Sequence, residues 1–400
     1  MPLGWIDFSK SERNKVLSVL DLLTEAGTLD ELGIAPIRDG FANIFFPGTS
    51  TLQTRAKYFL IVPYALKDME LSKESNPNRI LKEFNELERF CGEVFMAKGE
   101  DTEGIIGNRS LRQGKWVKRT PADIYWAGLR TFNIFTSGSL SLTEYVRASC
   151  ALKNQKTSLS KLGNSNDGTE DKVGDDKDAG DLYRMQFWNI PTYTSNWQDD
   201  LQIQLTSEEG NYLKRQIILS CPDTMMAYIL KNNHIEALEL KDFSSLERII
   251  GVFPKEIQND YILAKDFSDF MYVLRTIYNI IVSDGKNEKA NGEWNRLKAE
   301  LKKRSNVDLD AIFARLQIYN KSSLCSFLRK EKELMYSENL EGMKMEIRRR
   351  ERELKQNRAK TMHLGELPTD VWYGGGEMDY RFNNASSIMK DIFESEGLYA

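Results

Sequence analysis

Capped apolar stripes at helical spacing recur along this 400-residue chain, and they restrict it to a helical architecture. Ser9-x-x-Glu12, Ser141-x-x-Glu144 and Thr206-x-x-Glu209 have capping-box spacing, in which a hydroxyl and a carboxyl each take a free N–H group at a helix start. Asn76-Pro77 and Thr120-Pro121 put proline at the first helical position. Apolar stripes follow, such as Val16, Leu17, Leu20 and Leu23, or Ile80, Phe84, Leu87, Cys91 and Val94. Phe267 to Ile281 carries a broad apolar face, and Asp308 starts a helix bearing Leu309, Ile312, Phe313 and Leu316. Strand-like alternation is limited to short pieces such as Gly104–Leu111 and Ala237–Lys241. The expected fold class is mainly α, with two helical domains, a few short strands and a disordered acidic loop between the domains.

Composition places the boundaries. From Gly163 to Asp181 there are seven acids and two lysines but no aromatic residue, too little apolar surface to offset the entropy of ordering. The expected division is an N-terminal helical domain over 1–152, the acidic loop over 153–182, a C-terminal helical domain over 183–329, and a long charged helix with a tail over 330–400. In that last part Leu340, Met343, Ile347 and Leu354 lie at near-heptad spacing, which predicts an exposed helix with a narrow apolar seam.

A net charge of −4 gives no global attraction to nucleic acid or anionic membrane, so such binding needs a local basic patch. One exists. Arg109, Arg112, Lys115, Lys118 and Arg119 offer cations for phosphates, and Trp116 between them is a candidate stacking aromatic. Cys91, Cys150, Cys221 and Cys325 form no Cys-x-x-Cys pair and read as free thiols. No apolar run reaches the roughly 18–20 residues that span a bilayer. The N-terminus lacks the pattern of a signal peptide, so a soluble cytoplasmic protein without membrane partners is expected.

Little in the chain points to catalysis. It has two histidines, His234 and His363, and neither sits in a metal-ligand or nucleophile pattern. No phosphate-binding or dinucleotide-binding glycine loop occurs in its strand-to-helix context, and Gly374-Gly375-Gly376 reads as a turn. No cofactor or metal is expected. One nuclease-like spacing exists, Pro222-Asp223 followed by Glu239-Leu240-Lys241, in which carboxylates hold Mg²⁺ and the lysine positions water. Against it, Asp223 reads as a helix N-cap where that chemistry needs paired strands.

The densest local pattern is Phe45 to Pro63. Pro47-Gly48 makes a turn, and Thr49 and Ser50 offer hydroxyls to a helix start. Arg55 and Lys57 then enter an apolar stretch, where an unpaired charge is costly to bury. Arg55 is expected to pair with a carboxylate or with helix C-terminal carbonyls inside the N-terminal domain.

This block, with Gly4-Trp5-Ile6-Asp7-Phe8, Gly104–Leu111, Arg119–Trp126 and Asp379-Tyr380-Arg381-Phe382, resembles the signature of a bacterial family of unknown function over nearly the whole chain. The resemblance implies a cytoplasmic protein found near anti-phage defence and mobile-element genes, and it carries no catalytic residues. The expected function is a non-enzymatic accessory or scaffold subunit of a defence system. Its partners would be other subunits, with DNA or RNA as a further candidate. The alternative is a divergent Mg-dependent nuclease using Asp223, Glu239 and Lys241.

Overall fold

The structure, a computed structural model, describes residues 30–98, 102–163, 186–191, 193–364 and 366–399. The expected helix after Ser9, the Gly4–Phe8 motif and residues 164–182 of the acidic loop lie outside the described residues. Among the described residues are fifteen α-helices and no named strand, so the fold is mainly α. In chain order they are α1 (Ala35–Phe45), α2 (Tyr58–Leu71), α3 (Pro77–Lys98), α4 (Asn108–Leu111), α5 (Pro121–Thr131), α6 (Leu142–Gly163), α7 (Ser207–Ser220) and α8 (Met225–Asn232). They continue with α9 (Lys255–Val282), α10 (Glu288–Leu297), α11 (Leu301–Arg304), α12 (Leu309–Leu316), α13 (Ser322–Tyr336), α14 (Leu340–Lys355) and α15 (Phe382–Ser395). No helix among the described residues is long and apolar enough to cross a membrane.

The chain groups into two compact units. One comprises residues 1–41 and 258–378, the other 42–257 and 379–400. This partition follows packing rather than the composition shift at 153–182. Indeed α6 continues through Lys153 as far as Gly163, into the stretch read as a loop.

In the unit of 42–257 and 379–400, local signals act as read. Thr120 with Asp123 and Thr206 with Glu209 form reciprocal capping boxes. Ile80, Phe84 and Cys91 are buried on α3. Neither of the two expected strands forms. Gly104 and Gly107 sit at φ +76° and +82°, so Gly104–Leu111 turns and then enters α4. Ala237–Lys241 is mostly a 3₁₀ helix, Ile235–Glu239. The only strand-like pairing among the described residues is one isolated bridge between Phe135 and Trp188.

In the unit of 1–41 and 258–378, the charged region from Lys330 is two helices rather than one. Glu338, at φ +55°, ends α13, and Asn339 caps α14 by accepting the Gly342 N–H at 2.9 Å. α14 folds back on α13, which buries Met343 and Ile347 completely. The seam is therefore internal. The arginine run is partly internal too: Arg350 donates to the Leu32 carbonyl at 3.1 Å and to Ser323 Oγ at 2.8 Å. Buried Glu351 accepts from Tyr278 and from the backbone N–H groups of Lys360 and Thr361.

Candidate nucleic-acid interface

The Pro-Gly block is a clamp held by residues far along the chain. Thr49 Oγ donates back to the Phe46 carbonyl at 2.6 Å, and Ser50 Oγ is buried without a partner among the described residues, so neither hydroxyl caps α2. Remote side chains take the N–H groups leading into that helix instead. The Tyr125 hydroxyl accepts from the N–H groups of Thr54 and Arg55 at 2.9 and 3.1 Å and donates to the Arg55 carbonyl at 2.8 Å. Asp391, on α15, accepts the Ala56 N–H at 2.6 Å and the Arg55 guanidinium at 2.9 Å. Burial pushes the Asp391 carboxyl up, while Arg55 and the Ala56 N–H pull it back.

Arg55 thus pairs with a carboxylate, as its apolar setting predicts, but the carboxylate lies outside the expected 1–152 domain. Lys57 Nζ meets both oxygens of Glu209, at 2.8 and 2.7 Å, in a pair whose side chains are 8% and 12% exposed. Pro47 and Gly48 shape the turn. Gly48 lies at φ +74° over the Phe132 ring, and Arg381 reaches back to the Thr49 carbonyl at 2.9 Å.

The clamp also fixes the chain that leads to the basic residues. Thr54 Oγ donates to the Gly104 carbonyl at 2.6 Å, and Tyr58 accepts the Ile106 N–H at 3.0 Å. A side chain at Gly104 would meet Arg55 Cδ at 2.8 Å, so the two segments touch only because that residue is glycine. From there Asn108 donates to the Thr102 carbonyl at 2.8 Å, and the Lys115 N–H closes a turn on the Ser110 carbonyl at 2.9 Å. Thr120 then caps α5, and the Ala122 N–H is accepted by buried Glu88 at 2.7 Å. Desolvation raises the Glu88 carboxyl to about 8.

On this braced segment Arg109, Arg112, Lys115, Lys118 and Arg119 are all exposed, and none has an ion-pair partner among the described residues. Arg109 and Arg112 lie three residues apart at α4 and so share a face. Trp116 behaves differently. Its Nε1 is buried without a partner among the described residues, and its ring edge packs against the backbone at Gly92 and Gly107. Trp116 is half-buried and its benzo edge has a packing role, because two glycines leave a slot that this edge fills.

The nuclease candidates are not drawn into such an arrangement. Asp223 is exposed in the turn before α8, Glu239 ends a 3₁₀ helix, and Lys241 is exposed beyond it. No three His, Cys, Asp or Glu side chains among the described residues group to hold a metal ion. Sequence reasoning missed Asp391, Glu209, Tyr125 and Glu88 as partners. The usable signal for Asp391 was the same one that marked Arg55, a charge between Ile388 and Ile392 on an apolar helix face.

Residues 1–167 match the model of a family of unknown function, DUF6361. The match takes in the Pro-Gly block, Gly104–Leu111 and the basic segment, and stops short of Asp379–Phe382. No curated protein and no solved structure matches the chain.

Proposed function

We propose that this chain is a non-enzymatic binding subunit that holds nucleic acid on Arg109, Arg112, Lys115, Lys118 and Arg119. The observation that carries the reading is five exposed cations, none ion-paired among the described residues, on a segment braced by the Thr54–Gly104 and Glu88–Ala122 hydrogen bonds. Cations already paired would gain little from phosphate, whereas each free one releases a counterion when it binds. Work alongside partner proteins, in the manner of a bacterial anti-phage accessory subunit, is the second half of the proposal and rests on the sequence resemblance.

The test is fluorescence anisotropy of a labelled oligonucleotide with the wild type and with Lys115→Glu/Lys118→Glu. Loss of affinity in the variant supports the reading, and equal affinity in both removes it. Incubation of the same oligonucleotide with Mg²⁺ addresses the non-enzymatic half. Cleavage that Glu239→Ala abolishes would replace this reading with the nuclease.

A further inference from the structure

Trp116 is the only aromatic residue between Arg109 and Arg119, and how it is held narrows the ligand. A Cβ built at Gly92 would stand 3.4 Å from its Cζ3 and 3.5 Å from its Cη2, and one at Gly107 would stand 3.1 Å from Cζ3. The benzo edge is therefore wedged between two backbones, and the pyrrole Nε1 at the other end is buried. Trp116 is half-buried, so only part of the indole is open to a base unless it is pulled out of that slot. The nearest exposed aromatic in sequence, Phe90 on α3, sits two residues from Gly92 and so points about 200° round the helix from it. The segment thus offers five exposed cations and, on a held and half-buried indole, only a partial stacking platform.

Binding of single strands without sequence preference depends on such platforms, each worth about 1–3 kcal/mol per stacked base. Cations alone answer to phosphate density, which is greatest on a duplex. From the reading of this segment as a nucleic-acid surface, on which this step rests, we infer that its ligand is duplex nucleic acid, bound through the backbone without reading sequence. Five phosphate contacts give a log–log salt slope of about −4.5 on duplex DNA and about −3.5 on a single strand. At 0.1 M salt that difference alone is about tenfold in affinity, and between 50 and 200 mM the duplex affinity should fall about 500-fold.

The experiment uses the full chain and three probes: two labelled 20-base-pair DNA duplexes of different base composition, and one of their strands alone. Wild type, Lys115→Glu/Lys118→Glu and Trp116→Leu are titrated at several salt concentrations. Duplex binding about tenfold tighter than single-strand binding, equal for both duplexes, supports the inference. So does a slope that falls by about two in the charge-reversed variant. Single-strand binding as tight as duplex binding, or a tenfold preference between duplexes, overturns the inference. If that binding is still lost on charge reversal, the broader reading survives. A tenfold loss of single-strand affinity in folded Trp116→Leu also overturns it. Binding to no probe, or binding indifferent to charge reversal, removes the broader reading itself. Should Trp116→Leu fail to fold, the wild-type comparison of duplex with single strand decides alone.

Discussion

Arg55 and Asp391, 336 positions apart, form a chelated pair: Nε lies 2.9 Å from Oδ1 and 3.1 Å from Oδ2, with Nη2 2.9 Å from Oδ1. The same carboxylate holds the Ala56 N–H, so α15 closes the approach to α2. Arg55→Ala would leave Asp391 buried without its cation, which typically costs about 3–5 kcal/mol. Urea unfolding should show that loss. The double substitution Arg55→Leu/Asp391→Leu should be milder than the two single losses combined. Additive losses would mean the pair is not coupled.

Gly128 on α5 should resist alanine. A helix-interior Gly→Ala change ordinarily gains up to about 1 kcal/mol. Here the added Cβ would stand 2.4 Å from the Gly48 carbonyl oxygen and 2.6 Å from the Phe59 ring. The backbone oxygen cannot rotate away, so overpacking should win by about 1–3 kcal/mol. A melting temperature raised by Gly128→Ala would contradict this contact.

Glu331 on α13 is fully buried, and among the described residues neither of its carboxyl oxygens has a hydrogen-bond partner. Burial and the nearby Glu346 hold its carboxyl well above the usual carboxylate range. An orphaned buried polar group costs about 1–3 kcal/mol. Glu331→Met should therefore raise the thermal midpoint measured by circular dichroism, and a lowered midpoint would show that the carboxyl has a stabilising role.

Glu88 makes stability depend on pH. Its carboxyl is raised from 4.5 to about 8, first by desolvation, so the folded chain keeps a proton that the unfolded chain releases. The stabilisation is complete below pH 4.5 and drains away as pH rises towards about 8. Glu88→Gln keeps an acceptor for the Ala122 N–H and cannot ionise, so it should flatten stability across that window. An unchanged pH profile in the variant would contradict the assignment.

Much of the helix framework was legible because capping and periodicity are local. Thr120 with Asp123, Thr206 with Glu209 and the α3 stripe all act as their spacing indicates. Long-range pairing was not legible: the type of partner for Arg55 followed from its apolar setting, but its identity depends on tertiary approach. The break between α13 and α14 escaped because Glu338 adopts the left-handed conformation where glycine usually marks a stop. At the basic segment the five cations were plain in the sequence. The slot that holds Trp116 was not, because Gly92 sits inside a helix where nothing local singles it out.

Lysine footprinting tests the central claim most directly. Wild-type protein is acetylated briefly with and without a saturating DNA duplex, and each lysine is quantified by mass spectrometry. The account predicts that Lys115 and Lys118 lose reactivity when duplex is bound, while Lys57, paired with Glu209, stays slow to react in both conditions. Unchanged reactivity at Lys115 and Lys118, with protection at other lysines instead, would contradict it.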